Sequence, residues 1–203
     1  MLVKICGITT LDAARVAVDE GADFIGFVFA PSSRQIEPKK AREIARQLPP
    51  TIKKVGVFVN EKIEHIELIA QQVKLDYIQL HGDETATFAE NLSLPVIKAL
   101  TVSDQLIFDL SHFPASYFIV DSPGKNYRGG SGETFDWSKL KKLNINLDKV
   151  LLAGGLNEKN IASAIQLINP AGVDVSSGVE SNGKKDLIKI KQFINLAKER
   201  TTI

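Results

Sequence analysis

A chain of 203 residues with 44% hydrophobic content can bury one substantial core, and residues 1–203 are expected to form one domain. Twenty-five basic against 24 acidic side chains leave a formal charge of +1, too little to argue for nucleic acid or an anionic membrane surface as partner. A single cysteine excludes an internal disulfide framework. Met1-Leu2-Val3-Lys4-Ile5 lacks a signal-peptide pattern, and every apolar run stops short of bilayer length, so a cytoplasmic protein acting on a small molecule is expected.

Short runs rich in Val, Ile and Phe alternate with longer segments whose apolar residues recur at helical spacing, the pattern of repeated βα units around a parallel sheet. The strands are predicted at Leu2 to Cys6, Phe24 to Phe29, Lys54 to Val59, Tyr77 to His81, Val96 to Leu100, Tyr117 to Asp121, Val150 to Ala153 and Gly172 to Val175. A helix is expected after each. Thr10 precedes Leu11-Asp12-Ala13-Ala14, Pro38 opens Lys39 to Gln47, Asn157 precedes Glu158 to Ile168, and a last helix runs from about Lys185 to Arg200. Eight consecutive βα units favour a closed (β/α)8 TIM barrel over an open doubly wound sheet of five or six strands. Such barrels start at ~200 residues, so this one has near-minimal length. The longest irregular stretch, Ser122 to Thr134, is glycine-rich and is expected to be a mobile active-site loop.

Both faces of a barrel strand should be apolar except near the catalytic mouth. Several strands break that rule at their C-terminal ends. If Val3 and Ile5 face the helices, Lys4 and Cys6 turn inward; by the same alternation Asp121 sits at the inner tip of the sixth strand. Gln79 and His81 on the fourth strand, Lys98 on the fifth and Asp174 on the eighth complete a polar ring. Polarity at that end of a barrel is where its chemistry is placed. The alternative is a buried ion-pair network in which Lys4, Lys98, Asp121 and Asp174 satisfy one another. A free cysteine is commonly an inert small hydrophobe, but Cys6 lies two residues from Lys4, a cation able to hold it as thiolate.

Glycines after strands seven and eight form a second constellation: Ala153-Gly154-Gly155-Leu156 and Ser176-Ser177-Gly178-Val179. Barrel loops at these places bind phosphate through backbone N–H groups, and Gly130, Ser131 and Gly132 are positioned to close over the same region. A Walker A sequence and a G-x-G-x-x-G after the first strand are both lacking, which argues against nucleoside triphosphates and dinucleotides. Arg34 follows strand two; its fork suits a carboxylate, although a lone loop arginine is an ordinary surface residue. His65 and His112 look structural, and without a His or Cys cluster no metal site is expected.

Four motifs, Val3-Lys4-Ile5-Cys6-Gly7-Ile8-Thr9, Gly56-Val57-Phe58-Val59-Asn60, Gln79-Leu80-His81-Gly82, and Gly129-Gly130-Ser131-Gly132 with Phe135-Asp136-Trp137, are joined by Asp174-Val175-Ser176-Ser177-Gly178-Val179-Glu180. In this order, and over nearly the whole chain, they resemble the phosphoribosylanthranilate isomerase family of tryptophan biosynthesis. The resemblance implies an Amadori rearrangement without cofactor, on a small phosphorylated substrate, by a monomer or homodimer. It implies Asp121 as general acid, Cys6 as general base, and Arg34, Gln79, His81 and Asp174 as substrate contacts. Phosphate would fall to Gly130, Ser131, Gly132, Gly154, Gly155, Ser176, Ser177 and Gly178. Rival barrels fit less well: a pentulose-phosphate epimerase calls for metal-ligating His and acids, and indole-glycerol-phosphate synthase for catalytic Lys and Glu. An aminoimidazole ribonucleotide isomerisation suggests two similar cradles. A non-catalytic module would need only the cradle and would bind without turnover.

Overall fold

The computed structural model describes residues 1–101, 112–121, 137, 140 and 145–199. Its eight parallel strands are β1 (Leu2–Cys6), β2 (Phe24–Val28), β3 (Lys53–Phe58), β4 (Tyr77–Leu80), β5 (Val96–Thr101), β6 (Tyr117–Asp121), β7 (Val150–Leu152) and β8 (Gly172–Val175). They pair in sequence order, and β8 returns to β1 to close a barrel, as the alternation of βα units predicts. The described helices are α1 (Leu11–Asp19), α2 (Pro38–Ala45), α3 (Ile63–Val73), α4 (Ala86–Glu90), α5 (Ile161–Ile168) and α6 (Leu187–Glu199). None is long and apolar enough to cross a membrane. The expected loop from Ser122 to Thr134 and the helices expected after β5 and β6 lie wholly or largely outside the described residues.

Local chemistry explains where the helices start. Thr10 Oγ1 accepts from Ala13 N–H at 3.4 Å, and Pro38 occupies the first turn of α2, where a missing N–H costs nothing. Two predicted starts move. Asn157 Oδ1 accepts from Lys159 N–H at 2.9 Å, closing a local turn that delays α5 to Ile161 rather than Glu158. Lys185 belongs to a short hairpin, β9 (Glu180–Ser181) against β10 (Lys184–Lys185), and Asp186 then accepts from Ile188 and Lys189 N–H to start α6.

Ladder partners share a face, so the register sorts the strand residues. Phe24, Val55, Ile97, Ala99, Ile119, Leu151 and Ala153 pack together inside the barrel, over Leu2, Tyr77 and Tyr117. Phe24 meets Tyr77 and Tyr117 edge-on at 5.7 and 5.8 Å between centroids, which plugs the N-terminal end. Val3, Ile5, Ile25, Phe27, Ile78, Leu80, Val120 and Val173 face the helices in the larger core.

Lys98 corrects the predicted polar ring. Ile97 and Ala99 are the inward residues of β5, so Lys98 between them points to the outer layer. There its Nζ donates to Glu84 Oε2 at 2.8 Å and to Gly82 O at 2.7 Å, with the pair almost fully buried. Glu84 also accepts from the N–H groups of Asn60 and Gly82, pinning the loops after β3 and β4 together. Removing one partner of such a pair strands a buried charge. Lys98→Met is therefore expected to lower the unfolding free energy by ~3–5 kcal/mol in urea titration; a loss under ~1 kcal/mol would show the pair to be dispensable.

Candidate active site

At the C-terminal end of the barrel the inward side chains turn polar: Lys4 and Cys6 from β1, Gln79 and His81 at the end of β4, Asp121 from β6 and Asp174 from β8. The register sets Lys4 beside Asp174, and Lys4 Nζ donates to Asp174 Oδ1 at 2.8 Å. Of the four groups in the predicted ion-pair network, this is the pair that forms. Burial is the largest single influence and disfavours the Lys4 ammonium, but Asp174 and Cys6 together more than offset it and raise the lysine above its ordinary range. Room for the cation comes from Gly26, which pairs with Cys6 on the neighbouring strand. A Cβ there would lie 2.9 Å from Cys6 Sγ and 3.3 Å from Lys4 Nζ. A glycine inside the apolar run Phe24-Ile25-Gly26-Phe27 is the signal of such close approach in the sequence.

Cys6 is buried beside this pair. Burial pushes its thiol up, and Lys4 pulls it part of the way back. Cys6 is thus a thiol with a cation at hand, rather than the standing thiolate that proximity to Lys4 suggests. On the far side of the mouth, Gln79 Nε2 lies 3.1 Å from His81 Nδ1, and burial drops the His81 pKa to about 4, so the ring is neutral at pH 7. With Nδ1 accepting from the Gln79 amide, the ring proton is assigned to Nε2. Nε2 stands 4.0 Å from Asp121 Oδ2, too long for a hydrogen bond yet short enough for one substrate oxygen to meet both. Among the described residues neither His81 Nε2 nor Gln79 Oε1 has a hydrogen-bond partner, although both are buried. Buried polar atoms left open cost stability, and at a mouth lined by a thiol and carboxylates they are groups that a ligand can satisfy.

The two glycine loops meet above the ring. Gly154 and Gly155 hold φ of +81° and +67°, and the side-chain amides of Asn157 and Asn160 donate to Gly155 O at 3.1 and 2.9 Å. Gly178 lies in a short 3-10 turn, Ser177–Val179, where an added Cβ would fall 1.8 Å from Leu156 O. The loop after β8 therefore seats directly on the loop after β7 only because position 178 lacks a side chain. Ser176 Oγ donates to Cys6 O at 3.1 Å, tying this cradle to the end of β1. Gly130, Ser131 and Gly132 lie outside the described residues.

Arg34 reaches the same mouth, and its fork is already engaged. Nε and Nη2 donate to Glu180 Oε1 and Oε2 at 2.7 and 2.8 Å, and Lys185 Nζ donates to Oε1 at 2.6 Å. Glu180 and Lys185 were not among the predicted site residues. The Asn182-Gly183 turn that makes them cross-strand neighbours was the available signal. Among the described residues no group of three or more His, Cys, Asp or Glu side chains is arranged to hold a metal ion.

Known proteins resemble this chain over nearly its whole length. The family model described as N-(5′-phosphoribosyl)anthranilate (PRA) isomerase matches residues 3–196. The N-(5′-phosphoribosyl)anthranilate isomerase of Oceanobacillus iheyensis is 52% identical over 195 residues, which cover 96% of this chain and 95% of the relative. The phosphoribosyl anthranilate isomerase of Thermotoga maritima superposes with a TM-score of 0.87 at 42% identity, covering 98% of this chain and all of the other. A phosphoribosyl anthranilate isomerase solved with reduced 1-(o-carboxyphenylamino)-1-deoxyribulose 5-phosphate superposes at a TM-score of 0.82 and 41% identity, covering 98% of this chain and 100% of the other. With a family model over almost its full length and a relative above half identity, this chain belongs to the N-(5′-phosphoribosyl)anthranilate isomerase family and is an isomerase of tryptophan biosynthesis.

Proposed function

We propose that this chain converts N-(5-phosphoribosyl)anthranilate to 1-(2-carboxyphenylamino)-1-deoxyribulose 5-phosphate, with Asp121 as general acid and Cys6 as general base. The observation that carries the reading is that a carboxyl group and a thiol, from β6 and β1, converge on the mouth above which the two glycine loops meet. The reaction is an Amadori rearrangement that draws on no cofactor. Asp121 gives its proton to the furanose ring oxygen as the C1′–O bond breaks, leaving an open-chain Schiff base with a cationic nitrogen. The Cys6 thiolate takes the proton from C2′, and the electron pair passes to the nitrogen, giving an enolamine. In the tautomerisation to the ketone, C1′ takes back the proton that Cys6 removed and the C2′ hydroxyl gives one up to Asp121, so both groups return to their starting protonation.

Each surrounding group has a part that follows from its contacts. Lys4 supplies the positive charge that eases Cys6 toward the thiolate, and Asp174 neutralises that lysine through Oδ1, leaving Oδ2 to meet the sugar. Neutral His81 donates Nε2–H to a ribose oxygen, and Gln79 Oε1 accepts from a ribose hydroxyl. Gly154, Gly155, Ser176, Ser177 and Gly178 hold the phosphate, and Arg34 the anthranilate carboxylate. We place Gly130, Ser131 and Gly132 in the same phosphate site on the sequence pattern alone.

Turnover is read by supplying phosphoribosylanthranilate and following loss of its fluorescence, with and without chelator; an unchanging signal would leave only a binding protein. Cys6→Ala and Asp121→Asn are expected to fold normally and each to lose ~10²–10⁴-fold in kcat. Near-normal kcat in either variant removes that residue from the mechanism. Gly178→Ala, forced against Leu156 O, should raise KM at least ~10-fold while the cooperative unfolding transition is kept; an unchanged KM would move the phosphate elsewhere. Because His81 stays neutral down to about pH 4 in the folded state while the unfolded ring protonates near 6.5, stability is whole above pH 6.5. It falls by up to ~3 kcal/mol as pH drops from 6.5 toward 4. His81→Gln should flatten that part of the pH–stability curve, measured by urea unfolding at several pH values; an equal slope in both proteins would contradict the assignment.

A further inference from the structure

We infer that Glu180 is a positioning residue for Arg34: it holds the guanidinium by one edge so that the other edge is presented, already oriented, to the substrate carboxylate. The inference rests on the reading of Arg34 as the carboxylate anchor and adds the residues that aim it. A guanidinium has two edges able to grip a carboxylate in bidentate fashion, Nε with Nη2 and Nη1 with Nη2. Glu180 takes the first, at 2.7 and 2.8 Å. Among the described residues nothing is bonded to Nη1, so the second edge remains open.

The placement is built rather than incidental. Asn182 and Gly183, with φ of +52° and +72°, form a two-residue turn whose handedness suits a tight hairpin, and the resulting register sets Glu180 across from Lys185. Lys185 Nζ bonds Glu180 Oε1 at 2.6 Å, Ser176 O at 2.8 Å and Ser176 Oγ at 3.2 Å. The carboxylate is thus fixed to the loop that forms the phosphate cradle. On the other side Gly7, at φ +77°, lets the arginine stem cross the end of β1, where a Cβ would stand 2.7 Å from Arg34 Cδ. Phosphate cradle, thiol strand and carboxylate anchor are therefore held in one frame before any substrate arrives.

The charges agree with that role. Arg34 and Lys185 carry +2 between them and Glu180 carries −1, so the cluster is left at +1. One further carboxylate makes it neutral. If Glu180 were a competitor for the same edge, binding substrate would instead have to expel a half-buried carboxylate from two cations. Preorganised donors discriminate most sharply, because a ligand lacking the group they await leaves them unpaired.

The test uses two stable amines as probes in calorimetric titration of the whole chain: the reduced product analogue bearing the 2-carboxyphenylamino group, and its phenylamino counterpart without the carboxylate. The quantity read is the ratio of their Kd values. Arg34→Ala should collapse the ratio toward unity. Glu180→Gln should cut it about tenfold while the Kd of the carboxylate-free probe changes by less than about twofold, and Glu180→Asp should recover part of the loss. In the double variant Arg34→Ala/Glu180→Gln the ratio should match that of Arg34→Ala alone. A role confined to stability would shift the thermal midpoint or weaken both probes together. If Arg34→Ala collapses the ratio but Glu180→Gln leaves it unchanged or raises it, Glu180 is not the positioner and the inference falls by itself. If Arg34→Ala leaves the ratio unchanged, the carboxylate reading fails and takes the inference with it.

Discussion

Lys4 is fully buried inside the barrel, and its ammonium is tolerable there because Asp174 meets it at 2.8 Å. The two residues sit opposite one another on β1 and β8, the seam where the last strand returns to the first. The ion pair that the interior demands therefore forms only when the barrel has closed in one register. A slip of one residue in either strand would turn that strand's charge toward the apolar helix layer and leave the other buried without its partner. Closure, register and the electrostatics beside Cys6 meet in this single contact, and Gly26 makes the room for it.

A comparison of the two buried lysines shows how little the residue type says about its role. Lys4 and Lys98 are both almost fully enclosed and both paired to a carboxylate at 2.8 Å. One faces the barrel interior beside a thiol, and the other faces outward, where it ties the loops after β3 and β4 into the scaffold. Their difference is one step of strand alternation. The inward one is placed to alter the protonation of a neighbour; the outward one can only contribute to stability.

The mouth of the barrel also gathers groups that are held at a cost. His81 Nε2 and Gln79 Oε1 are buried without partners among the described residues, and Cys6 is held as a thiol against the pull of its neighbouring cation. Each arrangement costs stability. The cost is carried by the closed barrel beneath, where Phe24, Val55, Ile97, Ile119 and Leu151 are packed into an apolar plug, and by the outer core against the helices. Above that plug, the contact between Gly178 and the carbonyl of Leu156 joins the two glycine loops without any side chain between them.

Periodicity and composition alone determined the number and order of the eight strands, because alternation of apolar runs with helical patterns is a local property and closure follows from their count. Motif order determined the family. The polar positions at the ends of β1, β4, β6 and β8 were legible for the same reason: an acid, a thiol or an amide stands out in a strand that should be apolar on both faces. The tertiary structure decided what could not be local. Which way Lys98 points depends on how β5 registers against β4 and β6, and the fork of Arg34 is occupied by a glutamate 146 residues away that no spacing rule reveals. Where Cys6 titrates was likewise beyond the sequence, since desolvation is a property of everything packed around a group, whereas the nearness of Lys4 could be read from two positions in a strand.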